Sequence, residues 1–470
     1  MLKNNQHFHF IGICGIGMSG IAKILRLQGF KVSGCDQNID PERSQELLNL
    51  GCLIDAHQSN LCSDPSITTI VLTSDVKPDH PEIIQAQLKN IPIRRRAEIL
   101  ANIMQEKISI AVAGAHGKTT TSSLMAHVLL DAKVDPTIIV GGQMHELNSN
   151  AHAGTGNFLV AESDESDRSF LLLCKKYSIV TNIDREHLNT YKDFDDIKTT
   201  FVQFINTIPT DGCNFVCIDD AGVQSILGKI NKPVKTYGTQ ENADFFIHNV
   251  KLLADFSEFQ ITENIHSPLQ KDKKKDLGSF KVLLPGIHNV LNATAVIATC
   301  LELGLDAQAI KNGLETFQGV DRRFTFKGLT KNHGALIFDD YGHHPTEIAA
   351  TLKVAQAKTQ GKITMVFQPQ RFSRTMHLWN EFIQTLAHAP VDQLILTEIY
   401  PASEQPIDGI SSQNMVQEIQ KINPNLNISF IPFGQKGASI LATLEATLKH
   451  NDLLLFQGAG KVNKLISKLI

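Results

Sequence analysis

Residues 108–121, ISIAVAGAHGKTTT, decide the fold of this chain. A short, apolar, strand-like run leads into the glycine turn G-x-x-G-K-T, which is shorter than the usual P-loop G-x-x-x-x-G-K-[ST], and a helix is predicted over 119–130. Backbone amides of such a turn cradle phosphates, the lysine reaches the β- and γ-oxygens, and the threonine hydroxyl can hold Mg²⁺. We therefore predict a nucleoside triphosphate site formed by Gly114, Ala115, His116, Gly117, Lys118, Thr119 and Thr120.

Outward from this turn, short apolar runs such as FHFIGI, TTIVLTS, NFLVAES and YSIVTNI alternate with amphipathic stretches. This alternation predicts an α/β fold with mostly parallel sheets. A helix over 97–104 ends one run of elements, and a strand over 335–338 opens another. We therefore expect three units, at 1–104, 105–322 and 323–470. The lysine-rich insert at 267–278 is predicted to be a solvated loop.

Composition narrows the function class. With 470 residues, 42% of them hydrophobic and 20% charged, the chain has enough apolar side chains for several cores, which excludes a disordered or fibrous protein. A net charge of -4 argues against a nucleic-acid or membrane-surface partner. We expect no signal peptide and no transmembrane segment. The eight scattered cysteines contain no C-x-x-C pair, which favours reduced thiols and a cytoplasmic location.

A second glycine turn, 15–20, fits G-x-G-x-x-G, and Asp36 ends the next predicted strand. Glycines there let a diphosphate approach the backbone at a helix N-terminus. NAD, FAD and UDP-sugars all carry a diphosphate, so the pattern does not choose between them, and a purely structural tight turn is also possible.

Acidic side chains follow the predicted strand at 157–161. Four acids within 162–167 would repel one another unless a cation neutralises them, and Glu162, nearest the strand, is the first candidate for an Mg²⁺ ligand. A solvated acidic turn is the alternative. His187 follows the next strand and is either a metal or phosphate contact or a structural histidine.

Later motifs add polar groups that suit a nucleotide and a small acid. His288, Asn289 and Asn292 open an alanine-rich helix and either face a base edge or cap the helix. Arg371 and Arg374 could clamp a carboxylate or form surface ion pairs. His343, within DDYGHHP, is a general-base candidate or a structural residue.

Taken in order, the motifs GIGMSGIA, GAHGKTTT, AESDESDRSF, TNIDREH, PGIHNVLNA, DRRF, DDYGHHPTE and QPQRFSRT resemble the bacterial Mur ligases of peptidoglycan synthesis, from about Phe8 to Lys461. The resemblance implies a Rossmann-like N-terminal domain for a UDP-sugar, a central P-loop ATPase-type domain, and a Rossmann-like C-terminal domain for an amino acid. It is strongest to members that join L-alanine to the lactyl carboxylate of UDP-N-acetylmuramate through an acyl phosphate, using ATP and Mg²⁺.

The resemblance also implies roles for individual residues. The catalytic group is Lys118, His187, Arg323 and His343. Thr119, Glu162 and His187 would hold Mg²⁺. Beyond the phosphate turn, ATP would contact His288, Asn289, Asn292, Arg323 and, at the ribose, Asp339. The UDP-sugar would contact Gly15, Ile16, Gly17, Met18, Ser19, Asp36, Thr73 and Ser74. The amino acid would contact Tyr341, His343, Arg371 and Arg374.

Three positions depart from the family pattern: Cys14, Asp75 and Asn189. The nearest alternative activity is ligation of a recycled murein tripeptide to UDP-N-acetylmuramate. An NAD-dependent dehydrogenase and a P-loop switch protein are alternatives from other classes. We expect a monomer or homodimer.

Overall fold

The computed structural model describes residues 6–37, 39–56, 64–73, 76–265, 273–434 and 436–470. Its strands form three sheets that follow one another along the chain. Each sheet lies within one of the three predicted units, whose boundaries at 104/105 and 322/323 remain predictions. The α/β class with mostly parallel sheets is confirmed.

The first sheet is parallel and has the order β3-β2-β1-β4-β5. Its strands are β1 (His7–Ile11), β2 (Lys31–Asp36), β3 (Leu53–Ala56), β4 (Thr69–Leu72) and β5 (Ile93–Arg95). The helices are α1 (Ile16–Leu27), α2 (Pro41–Asn49), α3 (Pro81–Leu88) and α4 (Arg96–Met104). The strand order turns back beside β1, so the loops after β1 and β4 open a crevice where ligands bind in such sheets.

The second sheet has ten strands in the order β15-β14-β13-β12-β11-β10-β6-β9-β7-β8. The strands are β6 (Ile108–Ala113), β7 (Thr137–Met144), β8 (Ser149–His152), β9 (Phe158–Glu162), β10 (Tyr177–Val180), β11 (Cys213–Cys217), β12 (Val234–Gly238), β13 (Phe245–Leu252), β14 (Ser257–Ile265) and β15 (Lys273–Val282). The helices are α5 (Lys118–Asp131), α6 (Phe194–Asn206), α7 (Ala221–Gln224), α8 (Ile287–Glu302) and α9 (Ala307–Thr316). The sheet is parallel from β7 to β13, and β8, β14 and β15 join it antiparallel.

The predicted loop at 267–278 is wrong for its second half. Residues 273–278 belong to β15, which pairs antiparallel with β14, and residues 267–272 lie outside the described residues. Lysines are exposed along this strand because it is the edge of the sheet, where charge discourages pairing with another chain. The lysines of this segment correctly predicted that it is exposed, but exposure did not mean that it is a loop.

The third sheet has the order β16-β17-β21-β18-β19-β20 and is parallel except for β16. The strands are β16 (Thr325–Leu329), β17 (Leu336–Asp340), β18 (Ile363–Phe367), β19 (Gln393–Leu396), β20 (Ile428–Phe430) and β21 (Leu453–Gln457). The helices are α10 (Pro345–Lys358), α11 (Phe372–His377), α12 (Trp379–Ala387), α13 (Ser412–Ile422) and α14 (Ala438–Thr447).

The first two sheets share an interface built on α1. Gly20 of α1 lies so close to Ile139 and Asn150 that a Cβ would stand 3.1 Å from the Asn150 amide nitrogen. Beside it, the buried Lys23 donates to Glu46, at 2.5 Å, and to Asn150, at 3.0 Å. One hydrophobic cluster runs across this interface, so the first sheet is packed directly against the second.

The seven described cysteines are all free thiols, whereas Cys62 lies outside the described residues. No helix in the described part of the chain is long and apolar enough to span a bilayer.

Candidate active site between the three sheets

The phosphate turn predicted from 108–121 is present between β6 and α5. Gly114 and Gly117 have φ of 136° and 79°, which side chains rarely adopt. A Cβ on Gly117 would stand 2.9 Å from Asn292 Oδ1, and one on Gly114 would collide with Thr181. Glycine is therefore required twice, because the turn bends tightly against two neighbouring elements.

Lys118 lies at the start of α5 and folds back over the turn. Its ammonium donates to the carbonyls of Gly114, at 2.5 Å, and Ala115, at 3.0 Å, and to Glu165 Oε1 at 2.8 Å. Burial opposes the charge, but Glu165 and the neighbouring acids outweigh it and raise the pKa of Lys118. The lysine is therefore a fixed positive charge at the phosphate turn.

Glu165 is a site residue that sequence reasoning missed. Its side chain is only 3% exposed, and Oε2 has no hydrogen-bond partner among the described residues. His187 Nε2 stands 3.3 Å from its other oxygen. The sequence showed a run of acids at 162–167. Which of these acids faces Lys118 becomes clear only from the fold.

Thr119 and Glu162 meet as predicted. The Thr119 hydroxyl donates to Glu162 Oε1 at 3.1 Å, and the amide of Gly141 donates to Oε2 at 2.7 Å. The Thr119 hydroxyl, the Glu162 carboxylate and Glu165 Oε2 are oxygen ligands, and oxygen ligands are the kind that Mg²⁺ prefers. The residues therefore fit a magnesium ion beside the phosphate turn.

The acids of the run have different partners. Asp164 bonds Arg96 at 2.5 Å, and although burial works against ionisation, Arg96 and Ser166 lower the pKa of Asp164 to about 2. Asp164 is thus ionised at neutral pH and fastens α4 to the loop after β9. Because Asp164 is paired with Arg96, not every acid of 162–167 is available to bind a cation.

Two cavities meet at the turn. His116 and Gly117 line both, so phosphates held by the turn would lie between them. The first, about 660 Å³, contains His288, Asn289 and Asn292 together with aromatic rings of the third sheet. The second, about 570 Å³, is lined by the predicted residues Ile16, Gly17, Ala115, Lys118, Thr119, Glu162, His187, Arg323, Tyr341, His343 and Arg374.

The first cavity brings together the three residues predicted to contact a nucleotide base, His288, Asn289 and Asn292. Asn289 donates to Pro285 O at 2.8 Å and Asn292 lies against Gly117, so the start of α8 touches the phosphate turn. Burial lowers the pKa of His288 to about 4, which keeps its ring neutral. The interpretation that these three residues face a ligand is supported by their common cavity.

Asp339 does not face this cavity, contrary to the prediction. Its carboxylate turns to the other side of β17, 3.4 Å from Arg322 Nε and 3.2 Å from Asn463 Nδ2. Asp340 lines the cavity instead. Successive side chains of a strand point to opposite faces, so one residue of register decides which acid is presented.

The third unit closes over the phosphate turn through an ionic network. His116 lies 2.9 Å from Asp184 and 3.5 Å from Glu347, and Thr346 donates to Asp184 at 2.8 Å. Burial disfavours the charged ring, but the two carboxylates outweigh it and raise the pKa of His116 to about 10. A protonated His116 thus links the phosphate turn to the start of α10.

Arg323 lies within the same network. Its guanidinium is 3.7 Å from Glu347 and 5.4 Å from the ring centre of Tyr341. The residue comes from the loop that leads into β16, yet it lines both cavities. The structure therefore brings this predicted residue to the site.

The two arginines predicted to hold a carboxylate, Arg371 and Arg374, lie apart from each other in the structure. Arg374 lies in the second cavity, where Nε and Nη2 both stand 3.2 Å from Glu186 Oε2, and it also bonds Gln370. Arg371 lies farther out, 3.8 Å from Glu404. Glu186 is a second residue that sequence reasoning missed, because an acid beside a metal-ligand candidate gave no sign of an arginine partner almost 200 residues away.

His343 also lines the second cavity. Its Nδ1 lies 3.1 Å from the carbonyl of Tyr341, so Nδ1 carries the proton and Nε2 keeps a lone pair. Burial and the charge of Arg374 lower the pKa of His343 to about 4. The ring is therefore neutral and able to accept a proton.

Four residues around the site have left-handed backbone although none is glycine: His187, Arg322, Phe324 and Arg371, with φ of 56°, 60°, 46° and 67°. Hydrogen bonds hold each one in place. The amide of Tyr341 bonds the carbonyl of Arg322 at 2.7 Å, and the amide of Phe324 bonds Asp340 at 2.9 Å. Such strain is concentrated at functional sites in proteins.

The glycine turn of the first sheet has a different register from the one predicted. The turn itself is 12–15, with Gly12 at φ 84°, whereas Gly17 and Gly20 lie inside α1. The amide of Cys14 donates to Asp36 at 2.8 Å, so Asp36 braces the turn. The pattern located the right strand and helix but missed Gly12.

Other predicted contacts of the first unit vary in position. Gly15 caps α1, Ile16 and Gly17 reach the second cavity, and Thr73 follows β4 at the same edge. The side chains of Met18 and Ser19 are buried in the core. Ser74 lies outside the described residues, as does the departure at Asp75.

Comparisons with known proteins agree with this architecture. Three family models match in chain order: Mur ligase family, catalytic domain, over residues 7–108; Mur ligase middle domain over 112–300; and Mur ligase, glutamate ligase domain, over 322–460.

Among relatives, a UDP-N-acetylmuramate–L-alanine ligase of Geobacter sp. (strain M21) is 42% identical over 97% of this chain and 95% of its own. One from Solibacter usitatus is 41% identical over 100% and 96%. Among solved structures, a UDP-N-acetylmuramate–alanine ligase of Thermotoga maritima has a TM-score of 0.78 at 26% identity, covering 98% of both chains. A murein peptide ligase of Psychrobacter arcticus, at 22% identity and a TM-score of 0.69 over 99% and 98% of the chains, shares the fold. By its matches to all three models, and by relatives that align with nearly its whole length, this chain belongs to the Mur ligase family.

Proposed function

We propose that this chain joins L-alanine to the lactyl carboxylate of UDP-N-acetylmuramate, using ATP, in the synthesis of peptidoglycan precursors. The observation that carries the proposal is the second cavity, where the phosphate turn, an edge of the first sheet and the Arg374–His343 pair face one space. Three reactants can meet there. Relatives at about 40% identity along the whole chain bear the name of this activity.

The first step is transfer of the γ-phosphoryl group to the lactyl carboxylate, which gives an acyl phosphate and ADP. Such a transfer needs positioning and charge neutralisation more than covalent help. Lys118 exchanges Glu165 for phosphate oxygens, and Arg323 offsets charge on the γ-phosphate from the third unit. When bound, Mg²⁺ supplies further neutralisation; Thr119, Glu162 and Glu165 would hold it, and His187 would serve a second ion.

His288, Asn289 and Asn292 hold the adenine, and Asp340, in place of Asp339, is the acid on the ribose side. Asp340 already accepts bonds from the amides of Gly342, at 2.8 Å, and Phe324, at 2.9 Å, so its carboxylate is fixed at the cavity wall. The nucleotide thereby bridges the second and third sheets.

The second step is attack of the alanine amine on the acyl carbon, followed by loss of phosphate. Arg374 releases Glu186 and binds the alanine carboxylate, with Tyr341 in the same cavity and Arg371 farther out. His343 accepts a proton at Nε2 from the amine as the new C–N bond forms; a ring with a pKa near 4 is a weak base, which suits the acidic ammonium of a tetrahedral intermediate.

The turn at 12–15, with Ile16, Gly17 and Thr73, takes the UDP-sugar in the crevice of the first sheet. We place the enzyme in the cytoplasm, in keeping with its free thiols. The proposed domains are 1–104 for the UDP-sugar, 105–322 for ATP and 323–470 for the amino acid.

An amino-acid panel in a phosphate-release assay tests the proposal. With ATP, Mg²⁺ and UDP-N-acetylmuramate present, we expect release to depend on L-alanine. Release that depends only on the murein tripeptide would assign the other ligase activity. Release without the UDP-sugar or an amino acid would overturn the ligase assignment altogether.

A further inference from the structure

Three metal-ligating side chains of different types meet in the first sheet, away from the site described above. His9, Cys35 and Glu82 are 0%, 3% and 1% exposed. One donor atom from each lies within 4.8 Å of the other two. Neither cavity of the active site includes them among its lining residues.

The fold fixes this meeting point. His9 on β1 pairs with Ser33 on β2, so His9 and Cys35, two residues beyond Ser33, point to the same face of the sheet. Helix α3 covers that face, and Glu82 comes from its first turn. Apolar neighbours such as Ile70 and Ile83 pack around the group. The three ligands are therefore held by rigid elements.

The spacing suits a zinc ion after a small expansion. His9 Nε2 lies 3.3 Å from Glu82 Oε2, and Cys35 Sγ lies 2.9 Å from the same oxygen. Donors around tetrahedral zinc stand about 3.3–3.6 Å apart, given bonds of about 2.0–2.3 Å. The 2.9 Å between Cys35 Sγ and Glu82 Oε2 has to open by about half an ångström on the same bond lengths.

A hydrogen bond to Ser33 fixes the orientation of the His9 ring. Its Nδ1 stands 2.8 Å from the hydroxyl of Ser33, which is itself 2.8 Å from His7 Nε2. Histidines that bind metals in proteins usually engage their second ring nitrogen in this way, which aims the other nitrogen at the ion. Here the other nitrogen, Nε2, faces Glu82 Oε2.

Charge also favours a divalent ion. A carboxylate, a thiolate and a neutral imidazole around a divalent cation sum to zero net charge, which lowers the cost of burying the group. Thiolate and imidazole are ligands that select zinc over magnesium. The ion would therefore differ from the one that suits the phosphate turn.

We propose that His9, Cys35 and Glu82 form a zinc site that stabilises the first sheet. On binding, the Cys35 thiol loses its proton to solvent, and the three side chains supply the protein ligands of the ion. Because folding builds the site, metal affinity adds to the free energy of unfolding.

The test uses the full-length protein, expressed with added zinc or cobalt. The protein is purified without a chelator, and all buffers contain excess Mg²⁺. We expect about one zinc per chain by mass spectrometry of the metal, as for other structural zinc sites. The cobalt form should show the thiolate-to-cobalt absorption band. Cys35→Ser should remove the band and reduce bound zinc at least about tenfold. Cys52→Ser, which alters another buried thiol of the same sheet region, should change neither.

Absence of zinc and of the band from the wild-type protein would overturn the proposal, and so would zinc that survives Cys35→Ser. If Cys35→Ser does not fold, Glu82→Gln replaces it: the proposal requires weaker zinc retention, and unchanged retention contradicts it. Since all readouts are metal content and absorption, they are independent of ligase activity.

Discussion

Lys118 shows how a single side chain can be held ready for a ligand. Its ammonium is balanced by the buried carboxylate of Glu165 at 2.8 Å, so the charge is kept inside the protein before any phosphate arrives. In the proposed reaction, phosphate oxygens replace the Glu165 carboxylate as the counter-charge of Lys118. The pair thus compensates both buried charges, and loss of either partner would leave the other uncompensated.

Replacing Lys118 with methionine should reduce phosphate release at least about 10²–10³-fold, because a preorganised charge at the transferred group is lost. The free energy of unfolding should fall by about 3–5 kcal/mol, because Glu165 is left buried without its counter-charge. Steady-state assays and urea unfolding measure the two effects.

The double variant Lys118→Met/Glu165→Gln separates them. It should recover most of the lost stability and none of the activity. If the double variant turned over substrates like the wild type, the assignment of Lys118 to phosphate would be wrong.

Arg374 is predicted to act on substrate binding. Arg374→Ala should raise the KM for L-alanine by about 10–100-fold with a smaller change in kcat, since a charge-assisted contact to the carboxylate is removed. Arg185→Ala, in the exposed part of the loop before His187, is the matched control and should leave KM unchanged. An unaltered KM in Arg374→Ala would remove this residue from the amino-acid site.

At the scale of elements, local pattern predicted well where one strand leads into one helix. The helices predicted over 97–104 and 119–130 agree with α4 and α5 to within one residue at each end. These segments combine an apolar run with clear glycine or charged ends. The second half of the insert, 273–278, was mispredicted because its lysines reflect exposure, and exposure is common to loops and edge strands.

The edge strand β15 offers a test of that interpretation. Changing Lys273, Lys274 and Lys275 together to valine should make the protein associate with increasing concentration, because an unprotected edge can pair with another chain. Analytical ultracentrifugation measures this. The same change at Lys89, Lys331 and Lys421, which are exposed elsewhere, should have a weaker effect. Equal association of both variants would mean that overall charge, and not the strand edge, controls association.

At the scale of the whole molecule, the active site exists only where three sheets meet. Sequence motifs predicted most of its parts, since Lys118, Glu162, His187 and Arg323 each follow a recognisable strand end or domain junction. They did not predict the pairs Glu186–Arg374 and His116–Glu347, because each joins residues far apart in the chain. The choice between Asp339 and Asp340 likewise needed the orientation of β17.

The His116 network predicts a pH dependence of stability. A pKa raised from the ordinary 6.5 to about 10 means that the folded chain holds a proton that the unfolded chain releases. The resulting stabilisation is complete below about pH 6.5 and is lost as pH rises towards 10, with a limiting slope of about 1.4 kcal/mol per pH unit.

Urea unfolding without nucleotide, at several pH values between 7 and 10, measures it. His116→Gln should remove this part of the decline, whereas His333→Gln, from a surface pair with Glu445, should keep it. If the free energy of unfolding of the wild type fell with pH no more steeply than that of His116→Gln, the proposed role of His116 in linking the second and third sheets would be contradicted.

The left-handed residues around the site set a limit on how stable this enzyme can become. Each of His187, Arg322, Phe324 and Arg371 costs the fold about 1 kcal/mol or more, because its side chain strains the backbone. Selection for heat resistance alone would favour glycine at these four places. It would do so at the expense of catalysis, since His187, Arg322 and Phe324 line the two cavities of the site. Thermal tolerance in this protein is therefore better sought in the outer helices and the sheet edges than in the loops that surround the reaction.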